Sequence, residues 1–123
     1  MKRAHPEDGI QRSIVSYMHM AAAPGVFMAA IPNGGLRSHL EAKIMKGLGV
    51  RAGVADLFVV GPGAKVYFVE VKAPKGRLSE HQIAFQDWCL KHQVPHAVVR
   101  SLDEAIEFFR RHGLVSDRVR IAA

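Results

Sequence analysis

The sequence predicts an α/β fold with a mixed β-sheet between helices. Three observations carry this. Segments with apolar residues at helical spacing alternate with short apolar runs bounded by Gly, Pro and Asn, in the order αβαββαβα. Two of the runs, Asp56 to Val60 and Val66 to Ala73, are apolar on alternate and intervening positions, as expected of strands covered on both faces. Two capping boxes, Ser79-Glu80-His81-Gln82 and Ser101-Leu102-Asp103-Glu104, open helices between or after those strands. Helices stacked on a sheet bury both kinds of apolar surface, and the 123 residues suit one domain spanning 1–123.

The first helix starts at Pro6-Glu7-Asp8, where a proline and two acids suit the first turn. Ile10, Ile14, Tyr17, Met18 and Ala21 follow at helical spacing, and Pro24-Gly25 stops them. Val26 to Ile31 is the first strand, broken by Pro32-Asn33-Gly34-Gly35. A second helix carries Leu40, Ile44 and Leu48 on one side and ends between Gly47 and Gly53. Gly61-Pro62-Gly63 turns the second strand into the third. The helix opened by Ser79 runs to about His92, His96 to Arg100 is a fourth strand, and a last helix with Ala105, Ile106 and Phe109 ends at Gly113.

Composition narrows the partners. Hydrophobic residues at 49% and charged residues at 23% argue against disorder. The formal charge of +6 favours a polyanionic partner, nucleic acid first. One cysteine, Cys89, excludes an intrachain disulfide and a Cys-based zinc site, and it is expected to pack in its helix. The N-terminus lacks a signal-peptide apolar run and no stretch is long enough to span a bilayer, so a cytoplasmic setting and no membrane partner are expected. The seven histidines form no ligand pattern: Pro95 separates His92 from His96.

The chemistry concentrates in the second and third strands. If Val60 pairs with Val66, then Phe58 faces Phe68 and Asp56 faces Glu70. Directly opposed like charges destabilise a hairpin, so two carboxylates there call for a cation, and hard oxygen ligands suit Mg²⁺ or Mn²⁺. Lys72 projects from the same face as Glu70 and brings an ammonium to the same place. It could hold a water or neutralise charge on a phosphate. The competing reading is a surface Glu70–Lys72 ion pair, which Phe68-Val69 and Val71 make too apolar a neighbourhood for.

With Gly53-Val54-Ala55-Asp56-Leu57 and Phe68-Val69-Glu70-Val71-Lys72 in place, the chain resembles the PD-(D/E)xK nuclease superfamily, and more narrowly a VRR-NUC domain. Ile31-Pro32-Asn33-Gly34-Gly35, Gly49-Val50-Arg51-Ala52-Gly53 and Gly76-Arg77-Leu78-Ser79 with Gln82 fall in the family's order. The resemblance implies a restriction-endonuclease-like core and a Mg²⁺- or Mn²⁺-dependent deoxyribonuclease. It further implies Asp56 and Glu70 as metal ligands with the Val71 carbonyl, Lys72 as the catalytic lysine, and Glu7 and Gln82 as further site members. Stand-alone domains of this kind, from phage and bacteria, imply structure-selective cutting of four-way junctions or other branched DNA by a homodimer. Ala55 departs from the proline common at its position, a residue that shapes backbone.

Each supporting residue has a plainer alternative. Glu7 could be only a first-turn acid and Gln82 only a capping residue, although capping and a role near the metal can coexist. Asn33 could present backbone amides to a phosphate or simply turn the chain. Arg37, Lys43, Lys46 and Arg51, with Lys75 and Arg77 just past Lys72, are candidate DNA contacts or solvated charges. Phe85 and Trp88 are expected in the core or an interface rather than stacked on bases. A non-catalytic nucleic-acid-binding module is the alternative function.

Overall fold

The computed structural model describes residues 6–32 and 38–116. Its elements are α1 (Pro6–Ala21), β1 (Phe27–Ala30), α2 (His39–Gly47), β2 (Leu57–Val60), a 3₁₀ turn (Pro62–Ala64), β3 (Val66–Val71), α3 (Glu80–Lys91), β4 (His96–Val99) and α4 (Leu102–Arg111). The order is the expected αβαββαβα.

Local chemistry explains the helix starts. Ser38, which precedes α2, accepts the Glu41 N–H at 3.0 Å. At α3 the reciprocal box forms: Ser79 Oγ accepts the Gln82 N–H at 3.2 Å and Gln82 Oε1 accepts the Ser79 N–H at 2.8 Å. At α4 Ser101 Oγ takes the Glu104 N–H at 3.2 Å. Glu104 Oε1, however, reaches one residue further back, to the N–H of Arg100, the residue after β4, at 2.7 Å.

The sheet order is β1-β2-β3-β4, antiparallel across the first two pairs and parallel between β3 and β4. The parallel pair requires a crossover, and α3 supplies it. β2 and β3 are the inner strands, which is why their sequences are apolar on both faces. Val60 pairs with Val66 and Phe58 with Phe68, the register expected from the sequence.

One face carries Leu57, Val59, Val69, Val71 and Val99, all at most 1% exposed, under Ile14, Tyr17 and Met18 of α1 and Phe108 and Phe109 of α4. The α1 and α4 ends are tied by an Ala22–Val115 bridge and by the Ser116 N–H on the Ala21 carbonyl at 2.6 Å. α3 covers the other face, where Phe85 meets Phe68 edge-on at 5.0 Å. Cys89 is fully buried, as expected. No helix among the described residues is long and apolar enough to cross a membrane.

α2 has the predicted periodicity but no place in the core. None of its residues is buried, and Leu40, Ile44 and the adjoining Leu48 are 67%, 53% and 76% exposed. Helical spacing specifies an apolar side without specifying what covers it.

The layering predicts a sharp contrast in chemical denaturation. Phe109→Ala, at 0% exposure, should lower stability by about 3–5 kcal/mol. Met20→Ala on α1, at 67% exposure, should change it by no more than about 0.5 kcal/mol.

Candidate active site

At the open end of the β2–β3 hairpin the ladder changes character. The Asp56 carbonyl still takes the Ile31 N–H at 2.7 Å, but β2 begins only at Leu57. Across the hairpin the Val71 N–H is held by the Asp56 side chain, Oδ2 at 2.8 Å. That bond fixes the Asp56 carboxylate over β3, beside the Glu70 carboxyl, with which it shares a hydrogen bond. The expected meeting of the two acids is therefore present, with Asp56 just outside the strand assigned to it from sequence.

Glu70 is only 2% exposed, the one buried charged-type residue among the described residues. Burial first, then the hydrogen bond and negative charge of Asp56, push its carboxyl up to about 9, while Lys72 draws it down and Glu7 adds to the rise. A carboxyl so placed keeps its proton at neutral pH unless positive charge arrives. Gln82 Nε2 donates to Glu70 Oε2 at 3.3 Å while its Oε1 caps α3. One amide thus caps α3 and touches Glu70 at once.

Glu7 comes from the far end of the sequence. The first turn of α1 brings its Oε2 to the Ala73 N–H at 3.4 Å, one residue past Lys72. Lys72 itself is half-buried, and its main-chain N–H donates to the Val99 carbonyl at 2.9 Å. Its aliphatic stem runs beside Gly76, where an added Cβ would lie 3.6 Å from Lys72 Cδ.

Two features escaped the sequence reading. Arg100 Nη1 donates to the Ala73 and Gly76 carbonyls at 2.8 and 2.7 Å, so the loop that follows Lys72 is clasped to the end of β4. A lone arginine after a strand carries no sequence signal for this, because its partners are main-chain carbonyls about 25 residues away. Gly53, at φ +89°, lies so close to the His81 carbonyl that any Cβ would overlap it. It locks the segment leading to Asp56 against the first turn of α3, where Gln82 sits. Here the signal was present, a glycine near a motif, but its reason was not.

Asp56, Glu70, Lys72, Glu7 and Gln82 are thus gathered at one end of the sheet from four segments. Lys75 and Arg77 are exposed on the clasped loop beside them. Lys43 and Lys46 are on α2, mostly exposed, and Arg51 lies between α2 and α3. Asn33 and Arg37 fall outside the described residues. Phe85 packs against the sheet as expected, whereas Trp88 is 50% exposed and is not a core residue.

Comparison with known proteins bears on the family and the fold. The sequence profile of the VRR-NUC domain matches residues 1–103. A solved structure titled "VRR_NUC domain protein" superposes with a TM-score of 0.72 at 20% identity, covering 89% of each chain. A second, titled "VRR_NUC domain", gives 0.58 at 22% identity, covering 89% of this chain and 98% of the other. At such identities the two structures bear on the fold. No curated protein matches the sequence.

The raised Glu70 carboxyl sets the sign of a pH effect. The folded chain holds this proton to about 9, whereas the unfolded chain releases it near 4.5. The contribution is therefore complete below about pH 4.5 and is lost as pH rises toward about 9. In EDTA, Glu70→Gln should be more stable than wild type at pH 8, by a margin that shrinks toward pH 5. Melting curves in which the margin grows on acidification would contradict the assignment.

Proposed function

The chain belongs to the VRR-NUC family, whose domain is of nuclease type, and from that premise we propose that it is a Mg²⁺- or Mn²⁺-dependent DNA endonuclease selective for branched DNA such as four-way junctions. One observation carries the reading: Asp56 and a buried Glu70 held together beside Lys72. A buried carboxyl set against a half-buried one, costly to ionise without positive charge beside it, is what a divalent cation would relieve.

The donor set fits such an ion. Among the described residues no three His, Cys, Asp or Glu side chains stand close enough to share one metal ion. A cation would therefore be held by the Asp56 and Glu70 carboxylates and the Val71 carbonyl, with water completing the shell, the arrangement Mg²⁺ commonly accepts. Bound there, it would supply Lewis acidity and a more acidic water. Binding must displace the proton shared by the acids, so affinity should increase with pH.

The remaining groups then have definite tasks. Lys72 Nζ provides positive charge to the non-bridging oxygens of the scissile phosphate and holds the attacking water near phosphorus. Gln82 fixes the orientation of Glu70 through its amide. Glu7 steadies the main chain after Lys72 through the Ala73 N–H. Lys75, Arg77, Arg51, Lys43 and Lys46 supply phosphate contacts, and Asn33 and Arg37 are proposed with them from their place in the sequence. Each neutralised phosphate would add about 0.9 to the log–log salt slope of binding.

The decisive assay incubates the protein with labelled duplex, single-stranded, flap and four-way-junction DNA in Mg²⁺, Mn²⁺ or EDTA. Branched DNA should be cut in metal and spared in EDTA, and Lys72→Ala should slow cutting by roughly 10²–10³-fold. Absence of cleavage in either metal would overturn the enzyme, and DNA binding without cleavage would leave the non-catalytic module.

Symmetric cutting of a junction calls for two copies related by a two-fold axis. The uncovered face of Leu40, Ile44 and Leu48 supports a homodimer built through α2. Light scattering behind size exclusion should give a dimer for the wild type and a monomer for Ile44→Glu. A monomeric wild type at assay concentration would remove the dimer.

A further inference from the structure

Between the Arg51–Val54 segment and α3 lies a cavity of about 310 Å³, walled by Arg51, Val54, His81, Phe85 and Trp88. We propose that it binds an unpaired nucleobase of the substrate, stacked on Trp88, a role that rests on the chain's being a DNA-cleaving enzyme.

The aromatic wall is built from the sheet outward. Phe68 on β3 receives Phe85 edge-on at 5.0 Å. Trp88 lies nearly parallel to Phe85, at 9° with centroids 6.3 Å apart. His92 flanks the indole at 4.7 Å. An indole held in this way yet 50% exposed is a prepared π-surface, and a base meeting it gains stacking without first ordering the side chain.

Charge favours a polyanion here. The cavity lining contains Arg51 and no carboxylate. The larger cleft along β4, about 870 Å³, has Asp87, Glu104 and Glu107 in its wall against one arginine, Arg111, itself paired with Glu107 at 3.2 Å, and is the less favourable of the two for phosphate. Size also selects one base. At about 310 Å³ the cavity sits at the lower end of ligand-pocket volumes, roughly 300–1,000 Å³, too small for a helix from a partner.

Position links the cavity to cleavage. His81 immediately precedes Gln82, whose amide touches Glu70, and Val54 is two residues before Asp56. The contact of Gly53 with the His81 carbonyl makes the two walls one unit. A base seated on Trp88 would therefore be positioned by the same two segments that carry Asp56 and Gln82. A base can reach such a surface only when it has left its stack, so the cavity favours DNA with unpaired bases near the cut. It reads the π-face and gives little sequence preference.

Trp88 is the chain's single tryptophan, so its fluorescence reports the cavity directly. Flap DNA and a fully paired duplex of equal length are titrated into the full chain in EDTA, where binding is measured without cleavage. Flap DNA should quench and shift the emission, the paired duplex far less. By anisotropy of labelled DNA, Trp88→Ala should weaken flap binding roughly 5- to 150-fold with little change for the duplex, and Trp88→Phe should restore most of it. Melting curves establish that both variants fold. Emission indifferent to flap DNA, or equal weakening on both DNAs, would overturn the proposal. Emission that changes with protein concentration and not with DNA would also overturn it and assign the face to a second copy. Failure of cleavage alone leaves this binding result intact, so the two readings fail separately.

Discussion

Everything at the working end of this molecule depends on keeping two carboxylates together where water is scarce. Asp56 and Glu70 meet at the mouth of an apolar hairpin, and Glu70 has almost no solvent contact. Such a pair opposes folding when both are ionised, because desolvation and repulsion act in the same direction. The chain offsets this with specific bonds: the Val71 N–H on Asp56, the Gln82 amide on Glu70 and the ammonium of Lys72 nearby. These bonds hold the pair in place.

The surrounding structure serves to keep that site from relaxing. Glu7 on α1 and Arg100 at the end of β4 grip the chain just after Lys72, one through an amide and the other through carbonyls. Gly53 closes the opposite side by letting the segment before Asp56 touch α3. These contacts come from parts of the sequence up to 66 residues apart. Their accuracy depends on the core beneath, where α1 and α4 clamp one face of the sheet and α3 the other.

Among the described residues, two exposed apolar surfaces stand out, and they differ in kind. The apolar side of α2 is a broad exposed ridge suited to another protein surface, and it underlies the proposed dimer. The Trp88 cavity is small, concave and free of carboxylates, which suits a single base. Both adjoin the Arg51–Val54 segment, so DNA engagement and pairing of subunits would meet close to Asp56.

The sequence alone determined the element order, the inner position of β2 and β3, and the hairpin register, since periodicity and turn chemistry are local properties of neighbouring residues. From that register it also placed Asp56 opposite Glu70. Its motif blocks identified the family, and its capping box singled out Gln82. Tertiary structure alone decided which acid lost its water, that Gln82 caps and contacts Glu70 at once, and that Arg100 and Gly53 fasten the site. It also decided that α2 stays uncovered and Trp88 stands half in solvent. Burial, close approach and side-chain bonds across long separations depend on how the layers dock, and no single stretch of sequence contains that information.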